Sequence, residues 1–587
     1  MKPKNVILFF LPLFGCAEDT SMQMADWVLT NGQIYTVDVN QPWAEAVVIR
    51  DGDFVYVGSN AVATAYAADN TTDLGGRMVI PGIVDGHTHP GLYGIEQYNA
   101  GFVETDREAF LEELRIWAAD NPGEDWVRGC CWPVITYVDG PVGPDRRELD
   151  EIFPDRPVWL TSSSWHSYWL NSRALEALGV DEDSEDPRFP IAIYKRDDDG
   201  RLTGWLKEGA GWQFFGQVFE INEDIHNASV REFLQYLSMR GVTSLYDGGN
   251  LDYSDAVYQL LYDLEEAGEL PIRYEGTYMV SVPARRAHAV AEMRRFREAY
   301  GGERLQFNTI KLFMDGIHEN RSSAMFEPFT DDLDYESNTT LTVEELHDWL
   351  IELHEAQFDL HIHAIGDFAV NVVLEGVEMA QATVGDDFYP RVTMAHLQNI
   401  HPGDRERFAE LGVSANFTAW WHGIDSPDPA LAGLGPERSH QSYPVRPLYD
   451  SGANVTFSSD DWRLDVLSPF LGIQVGHTRQ YPDIMLSGNQ NPEAFKGPAS
   501  EKLPLEYMIR GFTINGAYQL RMEDRIGSIE SGKSADFVVL PENLFEVNPK
   551  VIYTLMPDAV IMEGELIQGQ IEPVSYTHLT LPTICSV

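Results

Sequence analysis

The sequence predicts an α/β protein, a (β/α)8 TIM barrel carrying a small composite β-sandwich made from both chain ends. Three observations predict it. The stretch from about 79 to 524 alternates strand-like with helix-like segments, the pattern of a parallel sheet. Short alternating strands with turn signals occur at 25–78 and return at 525–570, so two separated β segments flank the middle and can pair. Several middle strands also end, or nearly end, in ligand-type residues, and in such barrels the C-terminal strand ends carry the active site.

The first β segment contains Trp27–Thr30, Gln33–Thr36, Ala46–Arg50 and Phe54–Val57, punctuated by Asn31-Gly32 and Asp51-Gly52. The second contains Ala535–Leu540, Val551–Thr554 and Ala559–Met562, with Glu563-Gly564 as a turn. Residues 1–16 read as a signal peptide: Lys2 and Lys4 precede the short apolar run Val6–Phe14, and Gly15-Cys16 follows. Leu13-Phe-Gly-Cys16 resembles a bacterial lipoprotein processing box, which makes Cys16 the lipidated first residue of the mature chain. Ala17 then points to the outer membrane. The expectation is an exported protein, periplasmic or an outer-membrane lipoprotein. Val574–Val587 follows the last strand-like segment and reads as translated adapter sequence, so it is excluded from fold reasoning. Cys130 and Cys131 are the remaining cysteines of the folded region. Adjacent cysteines rarely pair, and no disulfide framework is expected.

The middle holds eight strand candidates: Ile80–His87, Val242–Asp247, Ile272–Met279, Phe307–Asp315, Asp359–Ala364, Arg391–His396, Val413–Thr418 and Asn454–Asp460. Helical stretches follow most of them, among them Ser254–Ala267, Ala284–Tyr300, Val343–Ala356 and Asp404–Leu411. The interval from about 90 to 240 is too long for one crossover. It carries its own strand, Val158–Ser162, and reads as an insertion over the barrel mouth.

Charge removes whole classes of partner. With 92 Asp and Glu against 41 Lys and Arg, the net charge is −51, which repels nucleic acid and anionic membranes. Membrane association is therefore expected only through the N-terminal lipid anchor. No later stretch is long and apolar enough to span a bilayer. The partner left is a small molecule, and an oligomer is compatible with this reading.

The chemistry begins at Pro81-Gly-Ile-Val-Asp-Gly-His87-Thr-His89. Spacing of i, i+2 in a strand places both imidazoles on one face, within reach of one metal ion. Strand four adds Lys311, strand five His363, strand six His396 and strand eight Asp460. Each alone has an ordinary explanation: a snorkelling lysine, a satisfied core histidine, a helix N-cap. Five strands delivering ligand-type residues to one rim are not explained that way. Imidazoles and a carboxylate so arranged hold a divalent cation, which polarises a carbonyl and activates water near neutral pH. Asp460 can take the proton from water and pass it to the leaving nitrogen.

This set resembles the amidohydrolase superfamily. Ile310-Lys-Leu-Phe-Met-Asp315-Gly316, His363-Ala-Ile-Gly-Asp367, Ser458-Ser-Asp460-Asp461-Trp462 and Asn171-Ser-Arg-Ala-Leu175 are similar to its amidohydrolase-3 branch, which contains the YtcJ-like and N-substituted-formamide-deformylase-like proteins. Ser458 departs from a usual glycine, and Trp420-Trp421-His422 from a usual Gln-Pro-x-His. The resemblance implies a metal site of His87, His89, Lys311, His363, His396 and Asp460, filled by one or two divalent ions, zinc first among them. It also implies that Lys311 is carbamylated, and that a C–N bond of a small amide or formamide is hydrolysed. The rivals are a deaminase on the same scaffold and a lipid-anchored solute-binding protein without turnover. His166, Glu208, Asp315 and Trp132 are expected at the substrate. His361 is expected behind the metal ligands, and His318 and His422 in exposed loops.

Overall fold

The computed structural model describes residues 24–571, apart from 133, 135–142, 189–190, 333–334, 336, 424–430, 465 and 487–494. The signal-peptide expectation for 1–16 and the adapter reading of 574–587 fall outside the described residues.

Eight parallel strand positions make the barrel. They are Ile83–Thr88, Val242–Asp247, a third strand in two pieces (Arg273–Glu275 and Met279–Val280), Thr309–Phe313, Asp359–Ala364, Val392–His396, Ser414–Thr418 and Val455–Ser458. The third strand joins two arcs, since its first piece pairs with strand two and its second with strand four. Strands four to eight pair in chain order, and strand one pairs with strand two. The ring closes where Asp460 N donates to His87 O at 2.8 Å and Ser459 N donates to Asp85 at 3.0 Å. Helices surround it with apolar faces turned inward. Val343–Ala356 shows how the sequence sets one: Thr342 and Glu345 form a reciprocal capping box, and Leu346, Trp349, Leu350 and Leu353 are its buried stripe.

One boundary differs from the sequence reading. The apolar run expected as a single strand, Ile80–His87, is split: Met78–Pro81 joins the sandwich, and the barrel strand starts at Ile83. Hydrophobicity could not mark the break, because both pieces are buried on both faces. Between them Gly82 passes so close to Thr243 that a side chain would collide with it.

The sandwich does combine the two ends. One sheet has the order Asp53–Gly58, Ala46–Arg50, Met24–Thr30, Ala67–Asp73. The other sets Phe537–Leu540 antiparallel to Met78–Pro81, with Ala559–Met562 beyond it and Gln33–Tyr35 on the far side. Leu29, Val47, Phe54, Val79, Phe537 and Ile561 fill the space between the sheets. Val551–Thr554, expected as a strand, lies instead in the 3₁₀ helix Pro549–Thr554. Pro549 opens that helix, and the Asn548 side chain accepts from Lys550 N.

The insertion has its own six-stranded sheet, ordered Tyr194–Arg196, Leu202–Lys207, Ser167–Leu170, Val158–Ser162, Val127–Trp132, Ala100–Gly101. Cys130 and Cys131, expected unpaired, form a disulfide across a cis peptide bond. The general rarity of adjacent pairs was a poor guide to this one.

Candidate metal centre

Strand one ends with His87 fully buried and His89 beyond it, their Nε2 atoms 3.2 Å apart. Gly248, just after strand two, makes room for both rings, since a Cβ there would lie 2.6 Å from His87 Nε2 and closer still to His89. His89 Nδ1 lies 3.2 Å from the Gly249 carbonyl oxygen. A carbonyl only accepts, so that nitrogen donates and Nε2 presents its lone pair to the centre. His87 Nδ1 meets His361 Nε2 at 2.9 Å, which makes His361 the partner behind the ligand.

The other strands converge on the same point. Lys311 Nζ is 3.2 Å from His87 Nε2. Asp460 Oδ1 lies 3.5 Å from His87 Nε2 and 3.4 Å from His89 Nε2, while Oδ2 lies 3.1 Å from His396 Nδ1. The His363 ring is 4.5 Å from that of His396, and His363 Nε2 donates to Gly316 O at 3.3 Å. All six residues expected as ligands thus stand at one end of the barrel.

Burial governs their protonation. It pulls Lys311 down to about 7, against the opposing charges of Asp460 and Asp247. It holds His87, His361 and His363 well below their ordinary range and brings His396 to about 4 despite Asp460. Burial works the other way on Asp460, yet His87 and His396 outweigh it and keep the carboxylate ionised. Burial thus disfavours the charged forms of His87, His363 and His396 beside the Asp460 carboxylate.

That donor set fits a divalent cation. The nearest atoms are Nε2 of His87 and of His89 and a carboxylate oxygen of Asp460. His396 Nδ1 is buried with no well-directed hydrogen bond, although Asp460 is beside it. Atoms of His87, His396 and Asp460 come within 4.8 Å of one another. Imidazole nitrogen with carboxylate oxygen is the chemistry of zinc and its neighbours.

A cavity of about 520 Å³ opens over this centre, lined by Trp165, Trp212, Trp420, Trp421, Trp462 and His166. The other residues expected at the substrate lie elsewhere. Trp132 is fully buried in the core of the insertion and donates to Leu160 O, so its role is packing. Glu208 and Asp315 sit behind the wall. Asp315 accepts from the amides of Ile365, Gly366 and Ala324 and lies 3.8 Å from His363 Nε2, so it supports a candidate ligand. His318 and His422, expected in exposed loops, are both buried. His318 bridges Ser323 and Asn399, and His422 packs on Tyr443, because these loops fold back over the rim. Residues missed from sequence are Gly248, Gly249 and Gly316, which act through space or a carbonyl; the Gly248-Gly249 pair at a strand end was the available signal.

A family description, Amidohydrolase family, matches residues 70–568. The chain is 25% identical over 541 residues to the putative amidohydrolase YtcJ of Bacillus subtilis, covering 91% of this chain and 98% of that one. It is 24% identical over 548 residues to the N-substituted formamide deformylase of Arthrobacter pascens, covering 88% and 94%. In fold it is similar to a structure of an uncharacterized metal-dependent hydrolase from Pyrococcus horikoshii, with a TM-score of 0.65, 21% identity, and 89% and 99% of the two chains covered.

Proposed function

This chain belongs to the amidohydrolase family, and from that premise we propose that it is an exported, metal-dependent hydrolase of a C–N bond in a small amide or formamide. The observation that carries the reading is the convergence of His87, His89, Lys311 and Asp460 within 3.5 Å contacts at the floor of the cavity.

In this reading His87, His89, Lys311, His363, His396 and Asp460 hold one or two zinc ions. When bound, the metal supplies Lewis-acid polarisation of the substrate carbonyl and of water. The protein's own residues do the rest. Asp460, ionised and 10% exposed on the cavity floor, accepts a proton from the attacking water and delivers it to the leaving nitrogen. His361 and the Gly249 and Gly316 carbonyls hold the histidine rings in their tautomers. Lys311 at about 7 has a large free-amine fraction. That amine adds CO2, forming an N–C bond and releasing a proton, and the cation becomes an anionic ligand. The five tryptophans offer apolar faces to the non-reacting part of the substrate.

Export rests on Lys2, Lys4 and the apolar run Val6–Phe14, with Cys16 as the lipidated residue. A panel of amides, formamides and lactones tests the function, with bound metal measured in parallel. Amine and acid should appear together. Ammonia as the product marks a deaminase, and binding without turnover marks a solute-binding protein.

A further inference from the structure

Glu208 is 2% exposed and lies one layer behind the cavity. Its Oε2 contacts Nδ1 of His166. Its Oε1 accepts from Ser322 Oγ at 2.6 Å, Asn320 Nδ2 at 2.8 Å and, more loosely, Ile317 N at 3.4 Å. We propose that Glu208 is a positioning residue for the reaction, keeping a proton on Nδ1 of His166 so that Nε2 of that ring faces the reacting amide. The inference rests on the amide-hydrolase reading above and adds a residue to it.

Four observations support it. First, an amide nitrogen and a backbone N–H can only donate, so Oε1 is an acceptor and the proton of the pair belongs on the more basic imidazole. Second, the His166 backbone is held as well: its carbonyl accepts from Glu208 N and from Asn320 Nδ2, both at 2.9 Å. The backbone that carries the ring is therefore fixed. The ring lies against Trp212 and faces His363 at 5.5 Å between centroids, at the cavity wall. Third, Glu208 adopts φ 52°, ψ −136°, a conformation costly for a residue with a Cβ. Such a cost persists where surrounding contacts impose it, and here they aim one carboxylate. Fourth, the carboxylate needs Gly316. A Cβ at that position would lie 2.6 Å from Glu208 Oε1 and closer still to Ser322. The Gly316 carbonyl also accepts from His363 Nε2, so one short segment serves both the candidate ligand and the Glu208 pair.

The alternative is a clamp that only ties the insertion to the barrel rim. E208Q separates the two roles. A glutamine Oε1 keeps the three donors on that side, so a clamp survives. Its NH2 group then faces His166 Nδ1, which must become an acceptor, and the ring proton moves to Nε2. A wrong tautomer behind a reacting group costs up to about 10⁴-fold in rate in carboxylate–histidine systems. We expect E208Q to lower kcat by about 10²-fold or more, with KM within a few-fold and bound metal unchanged. H166Q should show a similar loss, and the double variant should be no worse than H166Q alone, because the two residues act as one unit. The inference is overturned if E208Q keeps kcat within about threefold, if the two losses multiply, or if H166Q alone is near wild type; the last holds even where E208Q fails to fold. Absence of amide turnover in the wild type overturns the hydrolase reading and this inference with it. Intact wild-type turnover with a near-normal E208Q overturns the inference alone.

Discussion

Lys311 Nζ stands 3.2 Å from His87 Nε2, and both side chains are fully buried. An ammonium there would face a divalent cation in a poorly solvated space, a repulsion that carbamylation removes. Lys311→Ala should therefore lose bound metal and activity together. Short carboxylic acids, supplying the missing oxygens, should restore part of both, and intact-protein mass should show added CO2 on the wild type. An unmodified Lys311 and an active Lys311→Ala would contradict the carbamate.

Arg273, at the opposite end of the third strand, is fully buried and pairs with Asp536 and, at 2.8 Å, Glu563 of the sandwich. Glu563 also takes Arg304 and Arg525, so this cluster fastens the C-terminal part of the sandwich to the barrel. Arg273→Met should cost roughly 3–5 kcal/mol in chemical denaturation, because it strands a buried Asp536 carboxylate. Adding Asp536→Asn should recover part of that loss. A single variant as stable as wild type would show that the cluster is not a fastening.

Glu275 predicts a pH dependence away from the catalytic centre. Burial raises its carboxyl to about 7 from an ordinary 4.5, against hydrogen bonds from Asn308 and Thr309, with Asp359 adding to the rise. The folded state holds this proton more tightly than the unfolded chain. Its contribution is thus complete below about 4.5 and is lost as pH rises through about 7. Glu275→Gln removes that titration while its Oε1 still serves both backbone amides. Thermal melts should show the variant gaining several degrees on wild type between about pH 5 and about pH 8. An equal difference at both pH values would refute the assignment.

Cys16→Ser should release the protein from the membrane fraction into the soluble one. If the variant still sediments with membranes, the lipid anchor is not at Cys16.

Much of this architecture is legible in the sequence for a simple reason: the barrel strands are short, apolar and bounded by turns. Val242–Asp247 and Asp359–Ala364 are read to the residue. The third strand is blurred because Gly276 and Thr277 interrupt it between two arcs. The candidate ligand set is legible because strand ends of a barrel share one rim, so His87, Lys311, His363, His396 and Asp460 meet where the ring closes. What the sequence hides is depth. Trp132 and Trp165 look alike in the chain, yet one fills the insertion's core and the other lines the cavity. His318 and His422 follow strand ends like surface loop residues, and the loops fold inward. Glycine roles are equally silent, since Gly248 and Gly316 matter for the side chain they lack.

In the proposed function, metal held by these residues drives amide hydrolysis with Asp460 moving the proton. The most direct measurement is amide turnover against bound metal, titrated back into chelator-treated protein, for wild type and Asp460→Asn. Wild-type turnover should rise in proportion to metal bound. Asp460→Asn should fold, keep most of its metal and turn over several orders of magnitude more slowly. Full hydrolysis by metal-free protein, or an Asp460→Asn rate within about tenfold of wild type, would contradict the account.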